Sequence, residues 1–547
     1  TLAGNVTTTG AANLNFGSAA GSAFTASPGI ALTTGTLTIN GGTNADTFNI
    51  GTNIPGTVNG NDGGDQFNIT ASGISITNLY GGNIGSTGAG ADTLAGNNQP
   101  NDWQINSANG GTLNTNITFS GIENLTGNAG ADTFTVNTGG ALTGLIDGGG
   151  GVDRLDVLVA GRTVKLGTPV SGQGYLNVDR VETINATGTG NRLIGQNSTS
   201  LTTWNIGSTN GGTVAYTTTG TTTVTFSNFD NLTGGTGADT FVFAPSGALA
   251  GLGSVAGSID GGMGTGINTL QGRDGANNWA ITGNNAGTLG DAANVRYASF
   301  SNVQNLLGGN AGDAFTFSST GALNGWIDGG GGTGDTLSLT ALGDPVTVQW
   351  RDGVSPLVVN SAATVTVARV GSIAADGNNA NTFLGDDAPT TWTIDGANQG
   401  YINDRVVTFS GFRNLTGGSQ NDTFVMQPGG SISGLIDGGD TTSTNTLDQS
   451  LLPTVSINLN TGLTGITRIN LLVGNDTAST LTGSAGGDTW TINGRNSGSV
   501  AGVAFRGFNN LVGGTGNDTY NIGSNAGNTT YGNITGSINA TAGANRL

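Results

Sequence analysis

One phrase is written five times in this chain. It reads NLTGNAGADTFTV (124–136), NLTGGTGADTFVF (231–243), NLLGGNAGDAFTF (305–317), NLTGGSQNDTFVM (414–426) and NLVGGTGNDTYNI (510–522). The copies never stand in tandem. Three other words recur between them in a fixed order. W-x-I with a following glycine-rich turn begins at Trp103, Trp204, Trp279, Trp392 and Trp490, 75 to 113 residues apart. G-x-I-D-G-G occupies 144–155, 257–270, 325–337 and 434–447, and a closing word occupies 182–195, 372–385 and 470–483. Self-similarity of this kind means that one supersecondary unit stacks on the next. A chain of 547 residues would otherwise suggest several globular domains. The repeats predict instead one continuous solenoid over 1–547, in superrepeats of approximately 1–97, 98–195, 196–270, 271–385 and 386–483, with a partial 484–547. The first cycle is degenerate, with NLNF (13–16) standing where W-x-I would.

Within a cycle the units are short. Asp132 and Asp153 are 21 residues apart, and Asp313 and Asp335 are 22. Each unit carries segments such as TFTV, TFVF or TVTF, whose apolar–polar alternation is the period of half-buried strands. Glycine runs follow, and they suit corners because glycine tolerates positive φ. No stretch has a helical period. The expected fold is therefore all-β, a parallel β-solenoid of roughly 20–25 rungs and a rod on the order of 100 Å long. The repeat core should contain Trp103, Trp204, Trp279, Trp392 and Trp490 with Phe134, Phe241, Phe315, Phe424 and Tyr520, and asparagines should ladder over asparagines. A second reading of the tryptophans, as sugar-stacking platforms, stays open at this point.

Charge narrows the function. Only 9% of residues are charged, and the net charge is −19. Such a surface repels nucleic-acid phosphates, so no nucleic-acid partner is expected. The chain has no His and no Cys, which excludes histidine catalysis, thiolate metal sites and disulfides. No apolar run approaches the roughly 20 residues of a membrane helix. Lys165 is the sole lysine, and Glu123 and Glu182 are the only glutamates. A Cys-free, Lys-poor chain rich in Gly, Thr and Asn suits a protein exported and left outside the cell.

The phrases GGTGADTFV (234–242) and GGTGNDTYN (513–521) match the nonapeptide word of RTX calcium-binding proteins. The wider pattern of D-T-F and N-L-T-G-G rungs resembles the very large secreted β-strand-repeat proteins of bacteria, akin to filamentous-haemagglutinin-like adhesins. That resemblance implies a right-handed parallel β-helix, export to the bacterial cell surface, and a role in adhesion or a surface fibre.

Calcium is the candidate cofactor. It takes six to eight hard oxygens, and stacked corners offer carboxylates and glycine carbonyls. The candidate ligands are Asp132, Asp147, Asp153, Asp239, Asp260, Asp313, Asp328, Asp335, Asp422, Asp437 and Asp518. The competing reading is that each aspartate caps its own turn through backbone hydrogen bonds. The best irregular stretch is GDPVTVQWRDGVSP (343–356), with Trp350, Arg351 and Asp352, and it is the sole place where a catalytic insertion is considered. Repetition argues against a single active site, so the chain is expected not to be an enzyme. The expected function is a structural segment of an extracellular fibre. Its expected partner is itself, as an end-to-end homopolymer or as a continuous longer chain, because the opening TLAGN and the final GANRL both fall within the closing word and neither end looks capped. An adhesin stalk meeting surface glycans and a surface-layer subunit are the alternatives.

Overall fold

The structure is a computed structural model that describes residues 6–7, 12–15, 21–26, 32–33, 36–82, 90–167, 169–170, 172–217, 220–243, 252–343, 345–351, 354–359, 364–378, 380–403, 405–459, 465–523, 532–541 and 543–547. The opening residues 1–5 lie outside these. Among the described residues every regular element is a β-strand. They form two compact units, Thr1–Arg273 with Val295–Val303, and Asp274–Asn294 with Gln304–Leu547.

Each unit is a parallel β-solenoid. In the first, Thr133–Val136 pairs with Arg154–Val157, and that strand pairs with Thr183–Ala186, so Phe134, Leu155 and Ile184 stack in one column. In the second, Thr423–Met426, Thr446–Asp448 and Leu471–Val473 stack in the same way, with Phe424 over Leu447 over Leu472. The alternation in the sequence explains the burial. Phe134 and Val136 point inward and are fully buried, while Thr133 and Thr135 face outward at intermediate exposure. The NLTGG phrase folds as expected from its pattern: Asn231–Thr233 and Asp239–Phe243 are strands joined by a glycine corner, with Leu232 and Phe241 inside.

The expected column of asparagine over asparagine is corrected at this phrase. Asn124, Asn231 and Asn414 stack against Thr93, Arg192 and Thr382. Their side-chain oxygens instead accept the N–H of Leu145, Ser258 and Leu435, where the next rung begins. Asparagine ladders stand elsewhere. Asn40 donates to Asn15 at 2.7 Å, and Asn68 donates to Asn49 at 2.9 Å.

The W-x-I words do not form simple parallel coils. Asp102–Ser107, Gly110–Leu113 and Ile117–Ser120 make a three-stranded antiparallel meander. Its last strand pairs in parallel with the preceding rung, Ile76–Gly82, and its first with the following rung, Thr133–Val136. The chain thus steps forward along the stack, folds back to fill the gap and then continues. Thr202–Ser227, Thr391–Ser410 and Thr489–Arg506 repeat the device. The stretch 343–356 belongs to another copy. Thr347–Arg351, Val354–Val359 and Thr364–Ala368 are its three strands, spliced between Trp326–Asp328 and Thr382–Leu384. It is therefore part of the ladder and not a loop-like insertion. Trp350 is buried within it, and Asp352 and the side chain of Arg351 lie outside the described residues.

Two local features let the meander turn. Asn109, Asn210, Asn285, Asn398 and Asn496 hold the first turn at φ between 49° and 55°, a region asparagine tolerates better than most residues. The first and second strands then meet across a bulge. There a Cβ on Gly111, Gly212, Gly400 or Gly498 would overlap the facing carbonyl of Gln104, Asn205, Thr393 or Thr491.

Aromatic stacking joins the meander to the next rung. Trp103, Trp204, Trp279, Trp392 and Trp490 lie nearly parallel to Phe134, Phe241, Phe315, Phe424 and Tyr520, with centroids 5.4–5.7 Å apart. Four of these indoles meet the edge of Phe119, Phe226, Phe409 or Phe505 in the third strand at an interplanar angle of 70°. Truncating Trp392 to Ala should cost about 3–5 kcal/mol and Trp392→Phe less. Because repeats couple mainly to their neighbours, amide hydrogen exchange should show the loss concentrated in Thr391–Ser410 and Thr423–Met426.

Candidate functional site

The eleven aspartates singled out above fall into two separate structural classes. The first class starts the D-T-F strands and is buried. Each backbone N–H at this position donates to the carboxylate at the same position one rung on. Asn101 donates to Asp132 at 2.7 Å, Asp132 to Asp153 at 2.8 Å, and Asp153 to Glu182 at 2.7 Å. In the second unit Asn277 donates to Asp313 at 2.7 Å and Asp313 to Asp335 at 2.8 Å. Thr390 donates to Asp422, and Asp488 to Asp518, both at 2.9 Å. Asp239, in the first unit, donates its N–H to Asn268 at 2.9 Å. In Asp239, Asp313 and Asp422 the second carboxylate oxygen turns back on its own corner and accepts the N–H of Gly235, Gly309 and Gly418 at 2.7–2.8 Å, whereas Oδ2 of Asp132, Asp153 and Asp518 is buried with no donor facing it.

The second class sits in the I-D-G-G turns. Asp147, Asp328 and Asp437 form ion pairs with Arg180, Arg369 and Arg468 of the next rung. Asp260 accepts from Asn302 at 2.8 Å in the same place. Arg180, Arg369, Arg468 and Asn302 all have φ between 49° and 53°, so a shared backbone kink aims each side chain at the aspartate. Each aspartate also accepts the N–H two residues on, at Gly149, Gly262, Gly330 or Gly439. Among the described residues no group of three acidic side chains converges as a metal site would require. The carboxylate oxygens engaged in these contacts cap turns and link rungs.

Burial governs the chemistry of the first class. It pushes Asp132, Asp239, Asp313 and Asp422 up to about 6 and Asp153 up to about 7, and it raises Asp335. Hydrogen bonds from neighbouring N–H groups oppose the rise. Lys165 is also buried, and burial pulls it down to about 8. Its ammonium donates to the carbonyls of Leu166 and Gly195 at 3.0 and 2.5 Å.

The five tryptophans are 0–1% exposed and offer no platform to a sugar. Trp204 donates its indole N–H to the corner carboxylate of Asp239 at 3.2 Å. A shallow groove of about 470 Å³ in the second unit is lined by Gln349, Gly385, Asp387, Gly418, Asp440 and Arg468 among others, and Arg468 is already paired with Asp437.

Sequence reasoning missed one group of residues. The asparagine at each meander turn is a hub. Asn210 donates its N–H to Ser254 and accepts from the N–H of Phe229 through its carbonyl. Its side chain accepts from the N–H of Ala256 at 2.8 Å and donates to Asp230 at 2.6 Å. Asn109 and Asn496 make the same four kinds of bond. The legible signal was an Asn at one fixed place in SANGG, STNGG, GNNAG, GANQG and GRNSG. Sequence reasoning also passed over Asp46, Asp65 and Asp92, which occupy the D-T-F slot in the degenerate first cycle.

The sequence matches no protein-family model and no curated protein. The site is therefore read from its own geometry. Asn210→Ala should cost about 1–3 kcal/mol, because it strands bonded backbone groups and puts a Cβ-only residue at positive φ. Faster amide exchange across Thr202–Ser227, with the strands of the second unit unchanged, is the expected readout.

Proposed function

We propose that this chain is a structural segment of a bacterial extracellular or cell-surface fibre, built by stacking β-solenoid rungs, and that its chemistry is holding rung to rung. One observation carries the reading. The repeated polar side chains are spent along the stack: corner aspartates on the N–H of the rung before, I-D-G-G aspartates on the arginine of the rung after, and turn asparagines on the next corner. An enzyme or a receptor repeats its scaffold and varies its site. Here the residues with chemistry are themselves the repeat. In this reading the chain is not an enzyme, its main partner is another solenoid stretch of its own kind, and its place is outside the cell.

The test is electron microscopy of the native material, with and without a calcium chelator. Continuous filaments are the expected result, and they should survive chelation because the engaged corner oxygens already have protein partners. Filaments that dissolve on chelation would return calcium to the corners. Separate rods ending in distinct tips would overturn the fibre and make the chain an adhesin stalk. Planar lattices would make it a surface-layer subunit.

A further inference from the structure

The first 153 residues contain nine acidic side chains and no Lys or Arg; the first cation is Arg154. Three of those acids form a buried row that the sequence words above did not include. Ser22 donates its N–H to Asp46 at 2.5 Å, Asp46 to Asp65 at 2.7 Å, Asp65 to Asp92 at 2.6 Å, and Asp92 to Glu123 at 2.8 Å. Asp65 is 1% and Asp92 4% exposed. In each, Oδ1 accepts the N–H of the rung before. The question is what Oδ2 does.

Oδ2 of Asp65 is buried with no donor facing it. A Cβ placed on Gly60 would overlap both this oxygen and the carbonyl oxygen of Gly81 one rung on. A Cβ on Gly81 would overlap Oδ2 of Asp92 and the carbonyl of Gly121. At both corners a carboxyl oxygen and a carbonyl oxygen therefore converge on the space of one missing side chain. Other rungs show what belongs there. Asn268 and Asn445 fill the same slot, accepting the N–H of Asp239 and Asp422 through Oδ1. Their Nδ2 takes the Oδ2 position and donates to the carbonyls of Asn302 and Arg468 at 3.0 and 3.2 Å. A Cβ on Gly261 or Gly438 would overlap that same pair of atoms. At Asp239, Asp313 and Asp422 the same two oxygens meet, and the N–H of Gly235, Gly309 or Gly418 bonds Oδ2 there, whereas no donor faces Oδ2 of Asp65. An ionised Asp65 would set two lone-pair oxygens against each other out of reach of water, whereas a protonated one is a near-isostere of asparagine.

We propose that Asp65 and Asp92 stand in the folded solenoid as neutral carboxylic acids, with the proton on Oδ2 directed at the carbonyls of Gly81 and Gly121, so that folding takes up protons and mild acid tightens this part of the stack. The charged neighbours agree. Asp65 is faced by Asp46 and Asp62, and Asp92 by Asp65 and Glu123, all of them acids. Burial, with that like charge added, pushes Asp65 up to about 6 and Asp92 up to about 7, against an ordinary value of 3.8. The sign is opposite to that of a salt-bridged aspartate. The folded chain binds more protons than the unfolded chain between about pH 4 and pH 7, so stability rises as pH falls through that window.

The experiment follows amide exchange of Gln66–Ile69 and Thr93–Ala95 in the full chain, corrected for intrinsic rates, from pH 8 to pH 5. The folded-to-open ratio should rise by roughly tenfold on account of Asp65 and roughly a hundredfold on account of Asp92. The double variant Asp65→Asn/Asp92→Asn should lose that gain and be at least as protected as wild type at pH 8. A variant that keeps the full pH slope, or that loses protection at pH 8, overturns the proposal. Infrared spectra of wild type and of the double variant, both carrying carboxyl-labelled aspartate, give a second readout. Other buried aspartates share the protonated-carboxyl band at pH 5.5, so the band should be smaller in the folded double variant than in wild type, and equal bands overturn the proposal.

Discussion

At its D-T-F corners this solenoid leaves a backbone N–H at the start of the strand, pointing along the stack. A buried N–H without an acceptor is costly, so the structure depends on what the next rung offers it. The answer is one side-chain oxygen at one position, supplied by Asp132, Asp153, Asp313, Asp335, Asp422 or Asp518, by Asn268 or Asn445, and by Glu182 where a longer reach is needed. The glycine run is the other half of the same constraint. A Cβ on Gly127, Gly234, Gly308 or Gly417 would overlap the corner carboxylate. The G-G and the D of the repeated phrase are therefore one device, and neither works without the other.

The meanders solve a different problem. A parallel stack advances one strand per turn of chain, and its corners carry little apolar volume. At each W-x-I word the chain lays down three strands in one place, with an indole packed flat on the next rung. A thin core receives its largest side chains there. The cost is a tight turn and a bulge, met by asparagine at positive φ and by glycine where the two strands meet. The asparagine also ties the turn to the next corner, so the protruding hairpin stays part of the ladder.

Such a design puts acid in the interior and sets three arginines against the I-D-G-G turns. Arg180, Arg369 and Arg468 reach Asp147, Asp328 and Asp437 from partly exposed positions, where solvent screening keeps each pair modest. Burial moves the core carboxyls toward the neutral form, and hydrogen bonds from backbone N–H groups and amides oppose it. Two kinds of aspartate, 15 residues apart at Asp132/Asp147, Asp313/Asp328 and Asp422/Asp437, thus have different roles.

The sequence alone determined the class of fold and the contents of its core. Alternation of period two, glycine corners and recurring words require stacked strands, and TFTV or NLT can bury Phe134 or Leu125 in only one way. It also showed that Asp132 and Asp153 lie one rung apart. Only the tertiary structure decided what those aspartates hold. Asp132 and Asp147 look alike in the sequence, yet one reaches a backbone N–H inside and the other an arginine outside, because partner choice depends on which rung lies above. The meanders were hidden for a related reason. The alternation of WQINS, GGTL and ITFS fixes strands but not their direction, and direction follows from how a turn of two or three residues bends against the rung already in place.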